Sequence, residues 1–100
     1  MLKITKKQEG DTLTVTLNGR LDTKTAPELQ SELEPLLGGI SKLVLDFENV
    51  DYISSAGLRV LLTFDQDLKE QGKAMELRHV NEMIHDVFDV TGFLDILTIV

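Results

Sequence analysis

The sequence predicts an α/β fold: a single domain over residues 1–100, a mixed β-sheet with helices packed on it, in the order β-β-α-β-α-β-α-β. Three observations carry this. Leu13, Val15 and Leu17 alternate with Thr12, Thr14 and Thr16, the period of a half-buried strand. Leu43-Val44-Leu45 is an unbroken apolar run, which suits a central strand covered on both faces. From Ser55 onward apolar residues recur at helical spacing.

The elements follow in order. Leu2-Lys3-Ile4-Thr5 alternates, and Glu9-Gly10-Asp11 has turn chemistry, so the first two strands form an antiparallel hairpin. Thr25-Ala26-Pro27-Glu28 opens a helix, with Thr25 as N-cap and Glu28 completing a capping box. Ala26, Leu29, Leu33 and Leu36 share a face; Pro35 bends or breaks the helix, and Gly38-Gly39 ends it. After the strand at Leu43–Leu45 comes a helix from about Ser55 to Gln71. Gly57, Val60, Leu61, Phe64 and Leu68 form its buried stripe, while Asp65 and Asp67 read as a solvated face. Met75-Glu76-Leu77 is a short strand. Asn81 caps a third helix, with Met83, Ile84, Val87 and Phe88 inward and Gly92 at its end. A last short strand starts at Ile96. The alternation of strand and helix after residue 25 implies parallel pairing.

Composition excludes several functions. Ten basic against seventeen acidic residues leave a net charge of −7, which opposes binding to nucleic acid or to anionic membrane. There are no cysteines, so disulfides, thiol catalysis and thiolate metal sites are absent. The apolar runs are too short for a membrane span, and Met1–Gln8 lacks the apolar segment of a signal peptide; the expectation is a cytoplasmic protein. His79 and His85 have no matched spacing, so no metal and no cofactor is expected.

Ser54 and Ser55 stand where a strand hands over to a helix, beside unpaired N–H groups and the positive end of the dipole. A serine there can be a cap, a nucleophile or a phosphate acceptor. The nucleophile elbow G-x-S-x-G fails, because Ile53 holds the first glycine position around Ser55 and no histidine has a motif around it. No phosphate-binding loop is present, and the chain is expected not to be an enzyme. A phosphoserine carries about −1.5 to −2 charges, which a helix N-terminus accommodates. Cap and acceptor remain as readings of the residues alone.

Three segments point further: Leu17-Asn18-Gly19-Arg20-Leu21-Asp22-Thr23, Leu43-Val44-Leu45-Asp46-Phe47 and Ile53-Ser54-Ser55-Ala56-Gly57-Leu58. Together they resemble the STAS domain, and more narrowly a bacterial anti-sigma factor antagonist, over almost the whole chain. The resemblance implies a protein that binds an anti-sigma factor which is also a serine kinase of the histidine-kinase-like ATPase fold. Binding releases the sigma factor, phosphorylation at the helix start ends binding, and a serine phosphatase reverses it. The family pattern D-S-[ST]-G-L falls on Ser54-Ser55-Ala56-Gly57-Leu58, which makes Ser55 the acceptor in preference to Ser54. Ser54 stands in place of the family aspartate, and Ala56 in place of a hydroxyl residue. The partner surface implied is Asp22, Thr23, Ser54, Ser55, Gly57 and Arg59. The alternative is an unmodified scaffold subunit of a transporter or signalling assembly.

Overall fold

A computed structural model describes residues 2–100. Four strands form one sheet in the order β1-β2-β3-β4: β1 (Leu2–Glu9), β2 (Thr12–Leu21), β3 (Lys42–Ile53) and β4 (Ala74–Arg78). The β1–β2 hairpin closes at the Glu9↔Thr12 pair around Gly10-Asp11, and β2–β3 and β3–β4 are parallel. Helices α1 (Thr25–Leu33) and α2 (Ser55–Glu70) supply the two crossovers, and α3 (Glu82–Thr91) follows β4. The two crossover helices pack on each other and on the sheet, while α3 lies against β3.

Pro35 acts as its chemistry requires. The α-helix stops at Leu33, and a 3₁₀ segment carries Glu34–Gly39 to the entry of β3. Beneath the helices, Leu17, Leu21, Leu45, Phe47, Leu61 and Phe64 lose all contact with solvent. The Phe47 and Phe88 rings meet with centroids 6.4 Å apart, which docks α3 on the sheet. Each such side chain contributes roughly 1.5–3 kcal/mol on burial. The strand ends of β2 and β3 therefore stand on the buried core.

Four expectations fail. Met83 is exposed: Ile84 and Phe88, four apart, face the sheet, and Met83 one residue earlier is turned about 100° away. Asp65 is buried, because it lies one turn after Leu61 on the inward side. Its carboxylate is held by Lys69, with Nζ 2.8 Å from Oδ2, and Lys69 also donates to the Ile96 carbonyl at 3.1 Å. The last strand is reduced to one bridge, Leu77↔Ile99, since the 3₁₀ turn Phe93–Asp95 occupies the preceding residues. Thr25 does not cap α1: it is the first helical residue, and its own N–H is taken up by the Asp22 carboxylate.

Candidate functional site

Strands β2 and β3 end side by side, with Leu21 paired to Ile53. The register gets there through two bulges. From Thr16↔Asp46 to Asn18↔Asn49, β3 uses three steps against two on β2; from Gly19↔Val50 to Arg20↔Tyr52 it uses two against one. The second bulge places Arg20 beside Tyr52, and the guanidinium carbon sits 4.2 Å from the ring centroid. That is a cation–π contact at the rim of the sheet.

Past Leu21 the chain turns into α1 through a reciprocal cap. Asp22 Oδ1 accepts from the N–H groups of Lys24 and Thr25, both at 3.0 Å. The Asp22 N–H donates back to Thr25 Oγ1 at 2.8 Å, and that hydroxyl donates to the Arg20 carbonyl at 2.7 Å. This is a capping box displaced three residues upstream of the Thr25–Glu28 pair that the sequence offers. The competing pattern wins because Thr25 is buried and has its own acceptor on β2. The hydrogen bond from the Thr25 amide, and then those from Lys24 and the Thr25 hydroxyl, hold the Asp22 carboxyl below its usual range against some desolvation; the Arg20 charge adds a smaller push. Asp22 is thus ionised and rigid, with Oδ2 turned toward Arg20 Nε at 3.8 Å.

Past Ile53 the chain turns into α2. Ser54 has extended backbone, and its Oγ accepts from the Gly57 N–H at 3.3 Å. Its own N–H donates to the Leu21 carbonyl at 2.9 Å, so the two loops are joined directly. Ser55 is the first residue of α2 and is exposed. The first turn of α2 contains no acidic residue. Gly57 is buried under this junction: a Cβ there would lie 2.8 Å from Leu21 Cγ and 2.9 Å from the Leu21 carbonyl oxygen. Its role is close packing of the two loops, which removes it from the surface a partner can touch.

The structure therefore brings Asp22, Thr23, Ser54 and Ser55 to one end of the sheet, at the carboxyl ends of parallel strands where α/β proteins place their sites. Arg59 is exposed one turn after Ser55 and belongs to the same helix face. Arg20 and Tyr52 are members that the periodicity of the sequence did not reveal, because their pairing depends on the bulges. A groove of about 220 Å³ beside them, lined by Asp22, Lys24, Thr25 and Glu28, is below the usual size of a small-molecule site. At the neighbouring strand pair, His79 Nδ1 lies 3.1 Å from Asp46 Oδ1, and that oxygen also accepts the Glu48 N–H at 3.0 Å.

The STAS domain model matches residues 3–100. The chain belongs to the STAS domain family. Among curated relatives, the anti-sigma-B factor antagonist of Bacillus subtilis is 31% identical over 98 residues, covering 98% of this chain and 90% of that protein. The anti-sigma-B factor antagonist of Staphylococcus aureus is 31% identical over 84 residues, covering 83% and 78%. The fold is that of the anti-sigma factor antagonist SpoIIAA in its unphosphorylated form, with a TM-score of 0.85, 15% identity and coverage of 98% and 88%. The phosphorylated form of SpoIIAA gives a TM-score of 0.78 at 16% identity, with coverage of 98% and 91%. No described helix of this STAS protein is long and apolar enough to cross a membrane.

Proposed function

We propose that this STAS protein is an anti-sigma factor antagonist that works by partner switching in the cytoplasm, with Ser55 as the switch. The unmodified chain binds an anti-sigma factor kinase through Asp22, Thr23, Ser54, Ser55 and Arg59, and so frees a sigma factor. The kinase moves the γ-phosphoryl group of ATP onto Ser55 Oγ, ADP leaves, and the hydroxyl proton passes to a base of the kinase. A serine phosphatase restores the hydroxyl. The domain itself performs no catalysis.

One observation supports this reading: the two adjacent serines differ in geometry. Ser54 Oγ is engaged as the cap, whereas Ser55 is exposed at the first helical position. A phosphate on Ser55 meets the N–H groups and dipole of α2, with no carboxylate in that turn to repel it. The fold therefore survives modification, and the loss of binding comes from the interface. A desolvated dianion without a matching cation costs several kcal/mol there. The names of the curated relatives support the antagonist role.

Intact-mass measurement and peptide mapping after incubation with the cognate kinase and ATP test the site. One phosphate on Ser55 is expected, and none on the Ser55→Ala protein; a Ser55→Ala chain that still accepts phosphate sinks the assignment. Binding of the anti-sigma factor before and after phosphorylation tests the switch. A scaffold subunit would bind its partner equally in both states, so the same titration separates the two readings.

A further inference from the structure

We propose that Arg20, held over the ring of Tyr52, is the anchor through which this face receives a carboxylate of the anti-sigma factor. The inference rests on the antagonist reading above and adds the chemistry of the contact. The guanidinium carbon lies 4.2 Å from the Tyr52 centroid, and Nε lies 3.8 Å from Asp22 Oδ2. The second distance is within reach of charge attraction but beyond a hydrogen bond. Both neighbours therefore orient the guanidinium without saturating its N–H donors. The Arg20 side chain is 53% exposed and Tyr52 is 39% exposed, so the pair is accessible.

A guanidinium presents a planar fork that matches a carboxylate with two parallel hydrogen bonds. Stacking on the ring removes part of the rotamer freedom that an arginine otherwise loses on binding. The bulge at Gly19/Arg20 sets this geometry through the backbone register, so the arginine is aimed before any partner arrives. Asp22 and Glu28 stand on the α1 side, and Asp51 precedes Tyr52. Arg20 is thus a cation beside several acids and one further cation, Lys24, on a chain of net charge −7. Such a surface does not attract acidic chains in general. It selects a partner that places one carboxylate over Arg20 and avoids the acids around it.

The test is a titration of the purified cognate anti-sigma factor with the whole chain and its Arg20→Gln, Arg20→Lys, Tyr52→Ala and Tyr52→Phe variants. Arg20→Gln is expected to weaken binding roughly 30-fold, the scale of an interface hot spot. Arg20→Lys keeps the charge but loses the fork, and falls about 10-fold. Tyr52→Ala frees the guanidinium and falls about threefold, while Tyr52→Phe keeps the ring and stays near the original. The dependence of the association rate on salt becomes shallower in Arg20→Gln, while its thermal unfolding midpoint falls by only a few degrees, a combination that a merely structural arginine would not produce. Arg20→Glu is expected to bind again when the facing carboxylate of the partner is changed to lysine. Binding of Arg20→Gln within twofold of the original, in a series where Ser55→Glu abolishes it, overturns the anchor alone. Failure of the unsubstituted chain to bind overturns the antagonist reading and the anchor with it.

Discussion

Helix α2 starts behind Ser54 and α3 behind Asn81, and in both the cap residue has extended backbone and accepts the N–H three residues on. The Asn81 cap is the shorter, with Oδ1 2.9 Å from the Ile84 N–H against 3.3 Å for Ser54 and Gly57. Asn81 also donates to the Val50 carbonyl at 2.8 Å, so it fastens α3 to β3. The first turn of α3 already carries Glu82; that of α2 has no acid, and exposed Ser55 occupies the equivalent position. Three residues after the cap, α3 inserts the buried Ile84 into the core, whereas α2 has Gly57 and lets Leu21 touch its backbone. The same local signal thus builds an anchor in one helix and a positive end without an acidic side chain in the other. What differs is how the side chains after the cap meet the sheet.

Substitutions at matched positions can break this comparison. The largest effect is expected at the third position after each cap, with opposite causes. Ile84→Ala empties a core site and should cost about 2–5 kcal/mol in denaturant unfolding. Gly57→Ala adds one methyl group where the Leu21 carbonyl cannot yield, and should cost about 1–3 kcal/mol despite the better helix propensity of alanine. A Gly57→Ala protein that gains stability would show that α2 and β2 are not locked together as described.

The caps come next. Asn81→Ala loses two hydrogen bonds and should cost about 1–2 kcal/mol, while Ser54→Ala loses one long bond and should cost about 0.5–1 kcal/mol. Equal losses would erase the distinction between the two caps. Smaller still is the exchange of charge at the first helical position. Ser55→Glu should raise stability by about 0.3–1 kcal/mol at low salt, and Glu82→Ser should lower it by a similar amount, since each helix N-terminus favours an anion. Unfolding curves at low and high salt check both signs. A destabilised Ser55→Glu protein would remove the argument that α2 tolerates a phosphate.

The smallest expected effect concerns acid and the turn that adjoins α2. The folded Asp22 carboxyl titrates below its ordinary 3.8, mainly through the Thr25 N–H. Its contribution to stability is therefore present above that value and is lost as pH falls through the lower, folded one. Stability of Asp22→Asn should consequently decline less steeply than that of the original chain as the pH is taken from neutral to below 3.8. Parallel declines would mean that the capping box is not maintained in solution.

Much of the fold was legible along the chain. Period-two alternation placed β2, the apolar run placed the start of β3, and helical spacing placed α2 almost to the residue. These are patterns in which local geometry alone decides which side chains are buried. Legibility stopped where two local signals competed. Asp22-x-x-Thr25 and Thr25-x-x-Glu28 are both capping patterns, and only the Arg20 carbonyl waiting on β2 selects the first. Met83 and Asp65 depart from the periodic expectation for a related reason. Periodicity marks a buried stripe but not its edges, which depend on how far the sheet reaches around each helix.

At the site, the serine pair, the strand-to-helix handover and the failure of a nucleophile elbow were properties of the sequence by itself, because each depends on residue type at consecutive positions. The division of labour between Ser54 and Ser55 is implied by the family resemblance, since the residues alone leave cap and acceptor open. The tertiary structure decided the rest. Two bulges in β3 shift its register against β2, and a shift of one residue changes which side chains stand together at the strand ends. Arg20 meets Tyr52, and Leu21 meets Gly57, only because of that register. Contacts between residues about thirty apart follow from backbone pairing across the sheet, and no local pattern in either strand specifies them.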